Sequence, residues 1–262
     1  MTFQTIALDT DARGVATLTL DRPDKHNSLS AAMIDELTAA ATQLASDDAV
    51  RVVVLTGAGE SFCAGGDLGW MREQFHADRE TRMAEARKLA SMLKSLNELP
   101  KPLIGRVQGQ AFGGGIGMMS VCDTVIALDS AKFGLTEVRL GLIPATISPY
   151  VLARMGEGKA RRVFMSARVF GADEARDLDL VAKVAPETEL DEAVEKEIRP
   201  YLSAAPAAVA ASKALARALG PTISADVIED TIRRLADTWE TPEANEGIAA
   251  FFEKRKPNWV SA

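Results

Sequence analysis

Short apolar runs alternate with longer amphipathic segments over roughly the first two-thirds of the chain. Apolar and polar residues alternate at 15–20, which predicts a strand. Continuous apolar runs at 51–56, 103–107 and 124–128 are typical of strands covered on both faces. Lys132 to Val138 is predicted to be extended, and residues 181–184 also resemble a strand.

Helical segments lie between these strands and dominate after Pro186. Their apolar residues recur every three or four positions, as on one face of an amphipathic helix. The pattern therefore predicts strand–helix alternation followed by an all-helical last quarter. The predicted helices are 31–45, 77–99, 157–165, 172–178, 189–201, 204–219, 225–239 and 242–256.

Composition narrows the class of protein. The chain has 262 residues, 47% of them hydrophobic, a net charge of −7 and a pI near 5.1. The acidic balance argues against a nucleic-acid partner. Cys63 and Cys122 lie far apart and form no metal-ligand pattern, so we expect buried thiols and no bound metal. No apolar run is long enough for a membrane span and no basic leader is present, so we expect a cytoplasmic protein.

A glycine triplet is the first candidate for chemistry. Gly113 to Gly115 stand between the predicted strand 103–107 and an apolar segment that is predicted to be helical. Such a turn brings the main chain close to a ligand, and the helix that follows presents unpaired N–H groups and its positive dipole end. The triplet can hold an anion or an oxygen that becomes anionic, but alone it also fits a simple tight turn.

A second glycine loop and one acid strengthen this interpretation. Ala64-Gly65-Gly66-Asp67 follows another predicted parallel strand, and loops after parallel strands emerge at the same sheet edge. Two main-chain N–H groups are therefore expected to converge on one oxygen. Glu137 follows a further extended run and is expected at the same edge.

Several motifs in register carry a resemblance to a known family. Phe62-Cys-Ala-Gly-Gly-Asp67, Ala111-Phe-Gly-Gly-Gly115, Cys122-Asp123, the segment from Phe133 to Pro144, and Phe251-Phe-Glu-Lys-Arg-Lys256 resemble the enoyl-CoA hydratase/isomerase (crotonase) superfamily. The resemblance covers nearly the whole chain. It implies an α/β fold, a crotonase-like spiral of β-β-α units that forms two roughly perpendicular sheets.

The resemblance also implies a domain plan and an assembly. Residues 1–200 would form the acyl-CoA-binding catalytic core, and residues 201–262 a helical oligomerisation region. The expected assembly is a homotrimer or a dimer of trimers. The expected ligand is an acyl-CoA thioester, with no separate cofactor because coenzyme A enters as part of the substrate.

Site residues carry over from the matching motifs. The N–H groups of Ala64 and Gly114 would form an oxyanion hole for the thioester oxygen, and Glu137 would be the acid or base. The loop of Ala64, Gly65, Gly66 and Asp67 would lie along the adenine and pantetheine. Lys25 and Lys254 are candidates for binding the CoA phosphates.

The chain departs from the family pattern at one position. Many hydratases of the family use two glutamates, but Gly117 stands where the other glutamate is usual. One reading is hydration of an enoyl-CoA by Glu137 alone, since the segment from Gly134 to Tyr150 resembles bacterial 3-methylglutaconyl-CoA hydratases of leucine degradation. The alternatives are a Δ3,Δ2-enoyl-CoA isomerase that uses Glu137 as a proton shuttle, and a CoA- or RNA-binding scaffold with vestigial activity.

Other residues have competing interpretations. Trp70 and Met71 can line an acyl pocket or pack the core, and Arg139 can meet a carboxylated acyl chain or form a structural ion pair. Three polar residues near the proline turn are candidates for orienting water, although a structural loop role is the simpler interpretation: Thr146, Ser148 and Tyr150. His26 and His76 lie in polar surroundings without a hydrolase motif and are interpreted as solvated.

Overall fold

The structure is a computed structural model that describes residues 2–261. These residues form ten strands in two sheets, ten α-helices and three short 3-10 helices. The strands are β1 (Ile6–Thr10), β2 (Val15–Leu20), β3 (Val52–Gly57), β4 (Ser61–Cys63), β5 (Leu103–Val107), β6 (Gln110–Phe112), β7 (Thr124–Leu128), β8 (Lys132–Gly134), β9 (Phe170–Gly171) and β10 (Lys183–Ala185). The α-helices are α1 (Ala31–Ser46), α2 (Leu68–His76), α3 (Arg79–Asn97), α4 (Gly114–Val121), α5 (Ser148–Phe164), α6 (Ala172–Asp177), α7 (Leu190–Ser203), α8 (Pro206–Leu219), α9 (Ala225–Trp239) and α10 (Pro242–Phe252).

The larger sheet has six strands in the order β1-β2-β3-β5-β7-β10. Only the β1–β2 pair is antiparallel among these strands. Alternate residues of β3 enter different cores: Val53 and Leu55 pack in the main core with α1, whereas Val52 and Val54 pack against α7. Burial on both faces explains the unbroken apolar run that marks this strand in the sequence.

The smaller sheet has four short strands in the order β4-β6-β8-β9. The chain repeats a β-β-helix unit: β3, β5 and β7 lie in the larger sheet, and β4, β6 and β8 follow them in the smaller sheet. This repeat and the two sheets confirm the predicted fold class. The glycine loops follow β4 and β6 rather than the predicted strands β3 and β5. The sequence pattern does not reveal β4 and β6, because three-residue strands are too short to show a hydrophobic period.

Several predicted element boundaries are wrong. The segment after Asp67 forms α2, which the sequence pattern did not indicate, and α3 begins only at Arg79. Helix α5 begins at Ser148 rather than at residue 157, with a break at Gly156, where φ is +71°. Glu137 opens a 3-10 helix, Glu137–Leu140, instead of ending an extended strand.

The C-terminal helices fold back onto the core. Ile232 of α9 packs with Ala86 and Ala90 of α3. Helix α10 packs on the 3-10 helix that begins with Glu137, where a β-carbon on Gly247 would stand 2.5 Å from the Leu140 carbonyl carbon. Helix α8 contains no buried residue. Within residues 2–261, no helix combines the length and apolar character needed to cross a membrane.

Candidate active site

The two glycine loops lie in direct contact at the ends of the parallel strands β4 and β6. A β-carbon on Gly115 would stand 2.5 Å from the carbonyl oxygen of Cys63, and one on Gly65 would stand 3.2 Å from the carbonyl oxygen of Phe112. Only residues without a β-carbon allow this approach. The predicted convergence of the two loops is thus present in the structure.

Leu29 joins the loops. Its N–H donates to the carbonyl of Gly65 at 2.7 Å, and its carbonyl accepts from the N–H of Asp67 at 3.0 Å. Its side chain reaches the other loop, with Cδ1 2.6 Å from the position of a β-carbon on Gly114. The Gly65 carbonyl and the Asp67 N–H thus both point toward Leu29. Because successive residues of an extended segment face opposite sides, the N–H of Gly66 between them points away from Leu29.

The prediction that the Ala64 N–H forms an oxyanion hole is inconsistent with this geometry. That N–H donates to the carbonyl of His26 at 2.9 Å and is already paired. Gly65 then takes a φ of +94°, which redirects the chain before Gly66. Among residues 2–261, no acceptor is recorded for the Gly66 N–H, so Gly66 has the free amide that was expected of Ala64.

Gly114 is the first residue of α4. Gly113 has a φ of +47°, and the first hydrogen bond of α4 runs from the Gly117 N–H to the Gly113 carbonyl at 3.1 Å. The N–H groups of Gly114, Gly115 and Ile116 therefore precede the first helical hydrogen bond. They lie at the positive end of the helix dipole, which favours an oxygen that gains negative charge.

The Glu137 carboxyl group lies beside this turn. Its Oε1 is 2.9 Å from the position of a β-carbon on Gly113, so a larger residue there would displace it. Its Oε2 is buried without a hydrogen-bond partner among the described residues, although the residue as a whole is only half-buried. Burial raises the pKa of Glu137 from 4.5 to about 7, which suits a group that both takes and gives a proton near neutral pH.

The next turn of α4 is apolar on the same face. Gly117 follows Gly113 by four residues, and a β-carbon on Gly117 would stand 2.9 Å from Cβ of Ile147 and 3.8 Å from Cδ2 of Leu93. The Ile147 side chain therefore fills the space next to Gly117. A glutamate at position 117 has no room while Ile147 is present.

Asp67 has a structural role. Its Oδ1 accepts from the N–H groups of Gly69 and Trp70 and so caps α2, and its Oδ2 pairs with Arg22 at 2.9 Å. Burial opposes ionisation of Asp67, but these hydrogen bonds outweigh it and lower the pKa of the carboxyl group. The carboxylate holds the loop rather than standing free for a ligand.

The two predicted phosphate ligands are both exposed. Lys25 ends a 3-10 helix, and the following residue, His26, contacts the glycine loop through its carbonyl. Lys254 follows α10 with a φ of +56°. Within residues 2–261, neither ammonium group makes a hydrogen bond or an ion pair. The His26 side chain lies 3.0 Å from the Ser61 hydroxyl and is not simply solvated.

The three candidates for orienting water differ. The Ser148 hydroxyl donates to the Ala145 carbonyl at 2.6 Å. The Tyr150 hydroxyl is buried without a partner among the described residues, and burial, together with the Glu98 carboxylate, raises the pKa of Tyr150 to about 12. Thr146 has a buried hydroxyl without a partner among the described residues and stays a candidate.

Trp70 and Met71 flank the free amide. A β-carbon on Gly66 would stand 3.5 Å from Cγ of Met71 and 3.7 Å from Cζ3 of Trp70. The indole N–H of Trp70 donates to Glu85 at 3.2 Å, which fixes the ring. Both side chains thus lie next to Gly66, and lining of an acyl pocket stays a prediction.

Two cavities lie away from the candidate active site, and neither is lined by Gly66, Gly114 or Glu137. A groove between α8 and the core is lined by residues such as Ser212 and Ala216, and a polar cleft lies beside His26 and Gln108. Among the described residues, no group of three or more His, Cys, Asp and Glu side chains is placed to hold a metal ion.

Comparison with known proteins gives one consistent family. The family model described as enoyl-CoA hydratase/isomerase matches residues 10–262. The crotonyl-CoA hydratase of Syntrophomonas wolfei is 33% identical over 263 aligned positions, which span 100% of both chains.

Solved structures agree with this result. An enoyl-CoA hydratase from Shewanella pealeana has a TM-score of 0.81 and 38% identity, covering 98% of this chain and 96% of that one. An enoyl-CoA hydratase from Mycobacterium avium has a TM-score of 0.85 and 31% identity, covering 99% of this chain and 100% of that one.

Proposed function

This chain belongs to the enoyl-CoA hydratase/isomerase family, whose hydratases are hydro-lyases, and on that premise we propose that it adds water across the 2,3 double bond of an enoyl-CoA thioester. The observation that carries the proposal is the position of Glu137. Its carboxyl group lies beside the glycine turn that opens α4, next to the loop with the free Gly66 amide.

The thioester oxygen would accept hydrogen bonds from the N–H groups of Gly66 and Gly114. Water addition places negative charge on that oxygen, and fixed donors there stabilise the enolate more than the ground state. Such a donor is commonly worth about 10²–10³ in rate. Main-chain donors keep their direction because no rotamer change can move them.

One carboxyl group can complete the proton cycle. The Glu137 carboxylate takes a proton from water as the water oxygen bonds to C3, and the π electrons move to the thioester oxygen. Glu137 then returns the proton to C2 as the enolate collapses, which restores the carboxylate. A pKa of about 7 balances the two steps.

The apolar contact of Ile147 with Gly117 favours a second candidate, Δ3,Δ2-enoyl-CoA isomerisation. In that reaction Glu137 removes a proton from C2 and returns it at C4, through a dienolate whose negative charge lies on the same thioester oxygen. No second acid or water is required. The free amides and the single carboxyl group serve both reactions.

We extend the proposal to the ligand and the assembly. Lys25 and Lys254 are exposed cations suited to CoA phosphates, and 3-methylglutaconyl-CoA is our first candidate substrate. Residues 201–262 would join copies into a trimer or a dimer of trimers. Exposed Leu215 and Leu219 on α8, 60% and 80% accessible, support this assembly.

The test supplies crotonyl-CoA, 3-methylglutaconyl-CoA and a 3-enoyl-CoA separately and identifies the products. A 3-hydroxyacyl product supports the hydratase. A 2-enoyl product without a hydroxyacyl ester supports the isomerase. Binding of all three esters without turnover would contradict both reactions.

A further inference from the structure

We propose that Gln74 is a specificity-determining residue that hydrogen-bonds an oxygen-bearing group at the distal end of a short acyl chain. The inference rests on the proposed acyl-CoA chemistry and names the class of acyl group. The preferred substrate is then an enoyl-CoA with a carboxylate or hydroxyl near C5, rather than a plain alkyl ester.

The Gln74 side chain is buried, and its amide oxygen is unpaired. The residue is 6% exposed, and its Oε1 has no hydrogen-bond partner among the described residues. A buried amide without a partner is costly, so native proteins rarely keep one without a function or a missing ligand. Rotation of the amide by 180° exchanges its oxygen and nitrogen, so the group can accept from a hydroxyl or donate to a carboxylate.

The face of α2 that carries Gln74 also faces the loop of residues 64–67, here called the oxyanion loop. Met71 and Trp70 contact Gly66, as described above. Gln74 follows them by three and four residues and therefore lies on the same helix face, one turn farther along. One turn advances about 5.4 Å. An acyl chain whose thioester is held at Gly66 can span this distance with only a few carbons.

The end of α2 is also close to the segment that carries the acid. Phe75, next to Gln74, packs against the apolar cluster that contains Leu142, and Leu140 packs against the same cluster. Arg82 fixes this end of the helix by donating to the main-chain carbonyls of Gln74 at 2.8 Å and Phe75 at 3.0 Å. Gln74 is thus held on a fixed helix between the oxyanion loop and the Glu137 segment.

Three esters with the same branched skeleton test the proposal: 3-methylglutaconyl-CoA, 5-hydroxy-3-methylpent-2-enoyl-CoA and 3-methylpent-2-enoyl-CoA. They carry a carboxylate, a hydroxyl and a methyl group at the same place. The wild-type protein should prefer at least one oxygen-bearing ester over the alkyl ester by tenfold or more in kcat/KM, because a site with a buried polar group rejects an analogue that leaves it unpaired.

Gln74→Met should abolish this preference, because Met matches the volume of Gln without its polar group. Gln74→Glu should keep the hydroxyl ester and lose the carboxylate ester. Gln43→Met, on the exposed side of α1, is the matched control and should leave all ratios unchanged. Circular dichroism and thermal unfolding check that each variant folds.

An unchanged preference in folded Gln74→Met, or a wild-type protein without preference, would overturn the proposal. If the wild-type protein turns over none of the esters, the proposed function fails separately. The saturated esters 5-hydroxy-3-methylpentanoyl-CoA and 3-methylpentanoyl-CoA then test Gln74 by calorimetric binding. If Gln74→Met weakens the binding of both saturated esters equally, or leaves the binding of both unchanged, the proposed role of Gln74 is contradicted.

Discussion

The Ile147 side chain packs directly against Gly117, with its Cβ 2.9 Å from the point where a β-carbon on that glycine would stand. The two residues are far apart in sequence and meet because α5 begins beside α4. The Glu137 carboxyl group lies at Gly113, and the apolar Ile147 side chain lies one helical turn farther along α4, at Gly117. The contact between Ile147 and Gly117 also makes the two positions interdependent.

Gly117→Glu alone should destabilise the fold, because the new side chain overlaps Ile147. Overpacking of this kind costs about 1–3 kcal/mol, and burial of the carboxylate adds to it. Gly117→Glu combined with Ile147→Gly should recover part of that loss, with hydration activity above that of either single variant. Urea unfolding and crotonyl-CoA hydration of all four proteins give the coupling energy, and strict additivity would contradict the contact.

Replacing Gly66 with glycolic acid, which turns its N–H into an ester oxygen, should lower kcat by about 10²–10³. The same exchange of Ala64 for lactic acid should instead cost stability by about 1 kcal/mol, because it removes a hydrogen bond to His26. Steady-state kinetics and thermal unfolding separate the two effects. A larger rate loss at position 64 than at position 66 would restore Ala64 as the donor.

Activity should depend on ionisation of Glu137. The proposed reaction needs the Glu137 carboxylate as a base, and burial raises the pKa of Glu137 to about 7. We therefore expect kcat/KM to rise with pH and to level off above pH 7, with a midpoint near that value. Glu137→Gln should abolish turnover while acyl-CoA binding persists. Stopped assays across pH 5–9, with a saturated acyl-CoA to measure binding, check both statements.

Stability should show the opposite dependence on pH. The folded-state pKa of Glu137 lies above its ordinary value of 4.5, so folding favours the protonated form. The stability of the wild-type protein relative to Glu137→Gln is highest below pH 4.5 and falls as pH rises through about 7. Linkage gives a difference of up to about 3 kcal/mol above that pH. Unfolding curves of the two proteins that stay parallel from pH 5 to pH 8 would show that the carboxyl group is not buried.

Asp67→Ala should weaken the oxyanion loop without removing a reacting group. It deletes the cap of α2 and the pair with Arg22. A lost cap typically costs about 1 kcal/mol, and the partly buried ion pair adds to this. Asp78→Ala, which removes the cap of the neighbouring α3, is the control. Asp67→Ala should lower kcat more than Asp78→Ala does. Equal kcat values for the two variants would show that Asp67 does not support the active site.

The sequence pattern predicts the long elements because burial imposes a period on them. Strand β3 is visible as an apolar run, and the helices that cover it show one apolar face. Strands β4 and β6 have three residues each, too few for a period, so the sequence pattern does not distinguish them from loops. The convergence of the glycine loops was still predicted correctly, since the strands before them are parallel neighbours.

The details of the site depend on facts that no local pattern contains. Whether Ala64 or Gly66 has the free N–H depends on the left-handed conformation of Gly65. The paired glycines were the only signal of that conformation. The Ile147 contact depends on packing between distant elements. Gln74 was missed because a single polar residue on an amphipathic helix gives no sign that it is buried.

Helix α10 supports the 3-10 helix that begins with Glu137, and it is formed by residues synthesised long after that glutamate. During translation, both glycine loops can therefore emerge from the ribosome before the support of the acid does. A nascent chain that lacks α10 contains both glycine loops but not the helix that packs on the Glu137 segment. The segment of the acid therefore gains its full packing support only when the last helix of the fold is in place.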